Sequence, residues 1–379
     1  MVTALAMAVG LMVPLGSARA AESTAATGMV MRELQPPEGY STTYGELLSN
    51  AGHVVGSAGG NQGSAHVRWE PDGSVARLRG LDGSEYISPR AINDDGIIAG
   101  YASGSDNKSH AVTWDASGTS KRLEEPEGYL DSWAEDINNQ HVAVGTATLY
   151  HDIWAVRWDR DGKPTFLERP QYAIGSHADR INDSGEIIGA ARFGNGITQA
   201  VRWDAAGKVK YLAIDTIAWR AGAADINNRG TVAGTALDPS THTYRAARAL
   251  RCCIFRVMPG ASNDSGLYDV NNRDVFLGTN RIGDRTEIAR WDNDGMVVMK
   301  PVPGTTGHTV TMLNDAGLAV GSSGQRAAVW DAGGNATFLP DEKPGQIRKS
   351  SYAAAINNAG QILGRAEYWD VPPRAVIWS

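Results

Sequence analysis

Arg90-Ala91-Ile92-Asn93-Asp94-Asp95-Gly96-Ile97-Ile98-Ala99-Gly100 opens a segment that runs on through His110-Ala111-Val112-Thr113-Trp114, Asp115-Ala116-Ser117-Gly118 and Lys121-Arg122-Leu123. It divides into four short strands joined by turns. Asn followed shortly by Gly supplies the positive φ and the side-chain-to-backbone bonds of a tight hairpin. Trp-Asp-x-x-Gly does the same after the third strand. Within that third strand apolar residues alternate with polar or small ones, the period of a strand with one buried face. Val67 and Trp69, Val156 and Trp158, Val201 and Trp203, and Val376 and Trp378 repeat the alternation of Val112 and Trp114.

Working outward, the pattern Ile-Asn-x-x-Gly-x-Ile-x-Gly recurs eight times, with its Asn read at Asn50, Asn93, Asn138, Asn182, Asn227, Asn271, Asn314 and Asn357, at gaps of 43 to 45 residues. A fixed period near 44 means a small unit that buries its apolar face only by stacking on its neighbours. No Pro/Ser-rich or charged linker interrupts the periodic region, so the 379 residues read as one repeat domain over 29–379. Ser379 follows the third-strand Trp378, leaving the last unit without a fourth strand. Met31-Arg32-Glu33-Leu34 with Pro37-Glu38-Gly39-Tyr40 matches Ser120-Lys121-Arg122-Leu123 with Pro126-Glu127-Gly128-Tyr129. The N-terminal segment is thus expected to complete the last unit, an exchange that removes open edges and makes sense only in a ring. The expected fold is all-β: a single eight-bladed β-propeller of four-stranded repeats.

The repeats resemble the HAF repeat proteins, named for a His-Ala-Phe third strand. His110-Ala111-Val112 is the nearest local match, with Val in place of Phe, and the repeated Ile-Asn-x-x-Gly and Ala-Val-x-Trp segments extend the resemblance over about 44–379. It implies an extracellular protein and carries no established activity.

Residues 1–20 read as a signal peptide: an apolar run to Leu15, breakers at Pro14 and Gly16, and small residues in Ala18-Arg19-Ala20. A run of about 15 apolar residues falls short of a membrane span. Residues 21–28 are expected to form a flexible start to the mature chain, which is expected to be secreted by a bacterium, monomeric and without membrane insertion. Without Arg19, 34 basic residues stand against 42 acidic ones, a net charge of −8. That balance argues against nucleic-acid binding, which needs a basic surface.

Both repetitive turns fall on one face of the ring. The opposite face carries connections that vary in length and content, where binding on a rigid scaffold usually lies. Five residues before each repeat Asn stand Gly45, Ser88, Trp133, His177, Gly222, Gly266, Thr309 and Tyr352, with Asp179, Arg180, Trp219 and His308 nearby. Trp133, His177, Arg180, Trp219, His308 and Tyr352 are the candidate ligand-binding residues. Aromatic rings beside carboxylates and Arg suit a carbohydrate or protein ligand; for Trp133 and Trp219 the alternative is packing between blades. Asp159-Arg160-Asp161-Gly162 and Asp292-Asn293-Asp294-Gly295 read as turns rather than as metal loops, and no cofactor is expected. No catalytic pattern stands out, so a binding module leads over a polysaccharide lyase or hydrolase using His177 or His308 with Tyr352 and Asp179, and over a purely structural protein. In the fifth repeat Cys252-Cys253 replaces the Trp-Asp-x-x-Gly turn, and an exported chain would be expected to bridge this pair as a vicinal disulfide.

Overall fold

A computed structural model describes residues 28–84, 86–214, 220–238, 240–250 and 253–379. Eight sheets succeed one another along the chain, each a blade of four antiparallel strands; in blade 5 Ala213–Ile214 adds a fifth, parallel to Ile254–Val257. Blade 3 is typical: Asp131–Ile137 lies innermost, followed outward by Ala143–Leu149, Asp152–Trp158 and Pro164–Phe166. The last blade is completed as the sequence implies. Met31–Glu33 pairs with Arg374–Trp378 in the register Met31 to Trp378 and Glu33 to Val376.

The core is eight clusters rather than one, each filling the seam between two blades. The alternation in the third strand has a double purpose there. Trp69, Trp114, Trp158, Trp203, Trp291, Trp330 and Trp378 are completely buried. Each indole N–H also donates to a backbone carbonyl of the segment entering from the preceding blade, at 2.6–3.2 Å. Trp69 donates to Gln35, so the N-terminal segment fastens blade 8 to blade 1. Blade 5 has Ala249 at the Trp position, and Phe255 from its outer strand fills that seam. The seam arrangement follows from the propeller geometry: a four-stranded sheet with two apolar faces hides both only between neighbours.

The turn asparagines bind the ring together. In seven blades Asn Oδ1 accepts the N–H four residues on, closing the hairpin at 2.9–3.1 Å. The same side chain's amide donates to a backbone carbonyl of the next blade's turn, at 2.7–3.2 Å from Asn93 round to Asn357, which reaches Ser49. These asparagines are buried, at 3–5% exposure.

Blade 1 differs from the sequence reading. The strand register places Ser49, not Asn50, at the position of Asn93, and Ser49 Oγ caps the His53 N–H. Asn50 instead joins a second ring formed by the next residue of every turn: Asn50, Asp94, Asn139, Asp183, Asn228, Asn272, Asp315 and Asn358. The backbone N–H of each donates to the side-chain Oδ1 of the next at 2.8–3.0 Å, and Asn358 closes the circle on Asn50. No two Asp residues are adjacent in this circle. Each carboxylate instead takes amide hydrogens from an Asn on either side, an order that avoids like charges in contact.

Two substitutions of opposite sign test this account. Asn227→Ala strands buried donors and acceptors on two blades and should cost about 2–3 kcal/mol. Ser49→Asn supplies the one missing inter-blade amide and should raise the denaturation midpoint. A neutral Asn227→Ala would remove the asparagine clamp from the account.

Candidate functional site

Every innermost strand carries a β-bulge just before its turn. A bulge leaves one residue unpaired and re-aims its side chain. The skipped residues are Glu46, Arg90, Glu135, Asp179, Ala224, Tyr268, Thr311 and Ala354. The residue after each bulge is Leu47, Ala91, Asp136, Arg180, Asp225, Asp269, Met312 or Ala355. The channel wall is therefore asymmetric, with the charged groups of this second tier confined to blades 3 to 6.

Three of those groups have one geometry. Asp136, Asp225 and Asp269 accept the backbone N–H of Ile181, Val270 and Leu313 on the following blade, at 2.9, 3.1 and 2.8 Å. Loss of water around them raises their proton affinity. Burial pushes Asp136 up to about 6 against the pull of the Arg180 guanidinium. Asp225 and Asp269 sit in contact: burial raises both, and the Asp225 charge adds to the effect on Asp269, which is pushed up to about 8. The pair thus retains a proton at neutral pH, as two carboxyls in contact out of water must. Tyr268 is also raised by burial, and its hydroxyl donates to the Val310 carbonyl at 2.7 Å. Arg90 and Glu135 bridge blades 2 and 3 at 2.9 Å.

The residues expected to bind ligand are spread around this channel. His177 is exposed, with Nε2 3.5 Å from Asp179 Oδ2; burial raises the Asp179 carboxyl, while His177 and then Arg180 oppose that. Arg180 donates to the Asp179 carbonyl at 2.9 Å. Trp133 packs edge-on against Tyr101 of the preceding blade, ring centres 6.5 Å apart, so it lies in a seam with only part of its surface free. Tyr352 is exposed on blade 8, four blades from His177. In blade 1 the register puts Tyr44 rather than Gly45 on this tier, and Tyr44 stacks under Arg365 at 4.1 Å. His308 belongs elsewhere: its ring lies 6.0 Å from Trp330, and its buried Nε2 has no partner among the described residues. Trp219 and Cys252 lie outside the described residues, and with Cys252 the expected disulfide to Cys253. In the proposed turns Asp159 Oδ1 accepts the Asp161 and Lys163 N–H groups, and Asp292 Oδ1 accepts that of Asp294.

The channel carboxyls were missed by the sequence reading, although a signal was present. Asp-Ile-Asn at Asp136 and Asp225 and Asp-Val-Asn at Asp269 break a position that is Ala or a larger apolar residue in four other blades.

No family model matches the chain, and no curated protein does. Solved structures do. Porphyromonas gingivalis dipeptidyl peptidase 4 superposes with a TM-score of 0.54 at 10% identity, over 91% of this chain and 58% of that one. A puromycin hydrolase gives 0.51 at 12%, over 88% and 59%. A streptogramin B lyase gives 0.45 at 12%, over 94% and 99%. The chain spans less than two thirds of the two hydrolytic proteins. At such identities the likeness is one of fold.

The raised carboxyls make stability depend on pH. The folded chain binds these protons more tightly than the unfolded chain, so their contribution is complete below about pH 4 and is lost as pH rises through about 8. The melting temperature should fall by a few degrees from pH 6 to pH 9, and less in Asp269→Asn. Parallel profiles for the two proteins would contradict this.

Proposed function

We propose that this chain is an exported recognition module holding a carbohydrate or peptide on the irregular-loop face of the ring. The observation that carries the reading is where the free aromatic surface lies. Among the described residues, the well-exposed aromatics are Tyr86, Tyr150, Tyr172, Tyr244, Tyr268, Tyr352 and Trp369. By strand direction all but Tyr268 and Tyr352, which lie on innermost strands beside the channel, fall at the loop end of their blades. The face formed by the Asn and Asp turns has none.

Two of these residues stand out. Tyr150 and Tyr172, 87% and 84% exposed, have φ of 55° and 63°. The left-handed region costs a bulky residue roughly 1–2 kcal/mol, and no burial offsets it here. Beside them the surface is stiffened: Arg169 lies over Trp154 at 4.2 Å, and Tyr129 donates to Asp152 at 2.6 Å. Rigid aromatic side chains on a rigid frame are what sugar rings and peptide side chains stack against at little entropic cost. The HAF resemblance and the apolar leader support export.

The catalytic alternative, His177 or His308 with Tyr352 and Asp179, has less behind it: Asp179 stands near His177, but Tyr352 is four blades away and His308 packs against Trp330.

Retention on glycan and peptide arrays tests the proposal. The chain from Ala21 should be retained selectively, and Tyr150→Ala/Tyr172→Ala should lose at least about tenfold in affinity at an unchanged melting temperature. Equal retention of the variant, or none by either protein, would count against it.

A further inference from the structure

The seams are not equivalent. In five of them a hydroxyl on, or just before, the inner strand of one blade accepts a third-strand N–H of the preceding blade: Ser132 from Ala111, Ser176 from Ala155, Ser265 from Ala246, Ser351 from Ala327, and Thr43 from Ala375. Between blades 1 and 2 the partners are His66 and Ile87, which cannot make this bond. His66 stands where those five blades have Ala. A cavity of about 730 Å³ opens there, on the flank of the ring.

We propose that this cavity is a binding pocket for a small organic carboxylate with a flat apolar body. Its floor is apolar: Leu78 and Ile87 are 6% and 8% exposed. Tyr86 stands 63% exposed at the rim, free to cover a planar group. Arg77 and Arg79 line the same cavity and are exposed; among the described residues neither has a carboxylate partner. The Arg77 guanidinium is steadied over the Tyr40 ring at 5.7 Å. Guanidinium groups match carboxylates in shape as well as charge. His66 also lines the cavity, and its buried Nδ1 has no partner among the described residues. A buried polar atom without a partner is costly, and a ligand oxygen or hydroxyl would relieve it. The volume is in the range of small-molecule sites, about 300–1,000 Å³. The pocket shares Tyr86 with the loop-end aromatics but not Tyr150 or Tyr172, on which the recognition proposal is tested, so the two proposals can fail separately.

The test uses phenylacetate and phenethylamine, which share a ring and a two-carbon arm but differ in charge. Calorimetry on the chain from Ala21 should show phenylacetate binding, weakening with added salt, and phenethylamine binding at least about tenfold more weakly. Arg77→Gln/Arg79→Gln should reduce phenylacetate affinity by about ten- to a hundredfold, the effect of losing charge-assisted hydrogen bonds. Ser64→Trp, a substitution of an exposed residue at the cavity wall, should block binding at an unchanged melting temperature. Absent phenylacetate binding, equal binding of the two probes, or full affinity in the double arginine variant would overturn the proposal.

Discussion

The fold depends on a side-chain amide that serves two blades at once. A hairpin turn needs an acceptor for the N–H groups inside it, and a ring needs each blade fastened to the next at a fixed angle. Asparagine meets both needs from one position: its oxygen faces inward to its own turn and its nitrogen outward to the neighbouring carbonyl. Aspartate would repel that carbonyl, and alanine would leave both sides unsatisfied. The following residue has a different task. Its backbone N–H always points to the next blade, so any side-chain oxygen will do, and Asn and Asp share the eight places with no two Asp adjacent. Buried arginines repeat the same idea further out: Arg68 and Arg202 donate to the turn carbonyls of Gly96 and Gly230 on the next blade.

This division explains why the two faces differ. On the turn face, hydrogen bonds between neighbours occupy the side chains and hold all eight blades to one pattern. On the other face no such ring of bonds links the loops among the described residues, and that is where Tyr150, Tyr172 and Trp369 are exposed. The channel between them is intermediate. Its bulges repeat in every blade, whereas the residues they present do not, and the carboxyls of blades 3, 5 and 6 act as local staples to the following blade.

Much of the architecture was legible because it rests on repetition. The 44-residue period, the buried third-strand Trp and the exchanged N-terminal strand all follow from patterns visible in one dimension. The one-residue error in blade 1 has a simple cause: Ser49-Asn50 imitates Asn-Asp, and only the register shows that the hydroxyl takes the capping place. What repetition hides is the exception. His66 reads as one loop-side histidine among eight, and its meaning comes from the alanines that occupy its position in other blades. The bulge tier was equally opaque, since a bulge changes where a side chain points without changing the period. Trp133 shows the limit from the other side, being an aromatic at the channel that gives part of its surface to the seam with Tyr101.

Hydrogen exchange at single-residue resolution would test the closed ring most directly. The amides of Asn50, Asp94, Asn139, Asp183, Asn228, Asn272, Asp315 and Asn358 lie in turns that are at least partly open to water, and what shields them is the bond to the next blade's side chain. The account predicts that all eight exchange slowly and at similar rates, with Asn358 as protected as the rest because its partner, Asn50, closes the circle. Fast exchange throughout, or at Asn358 alone, would contradict it.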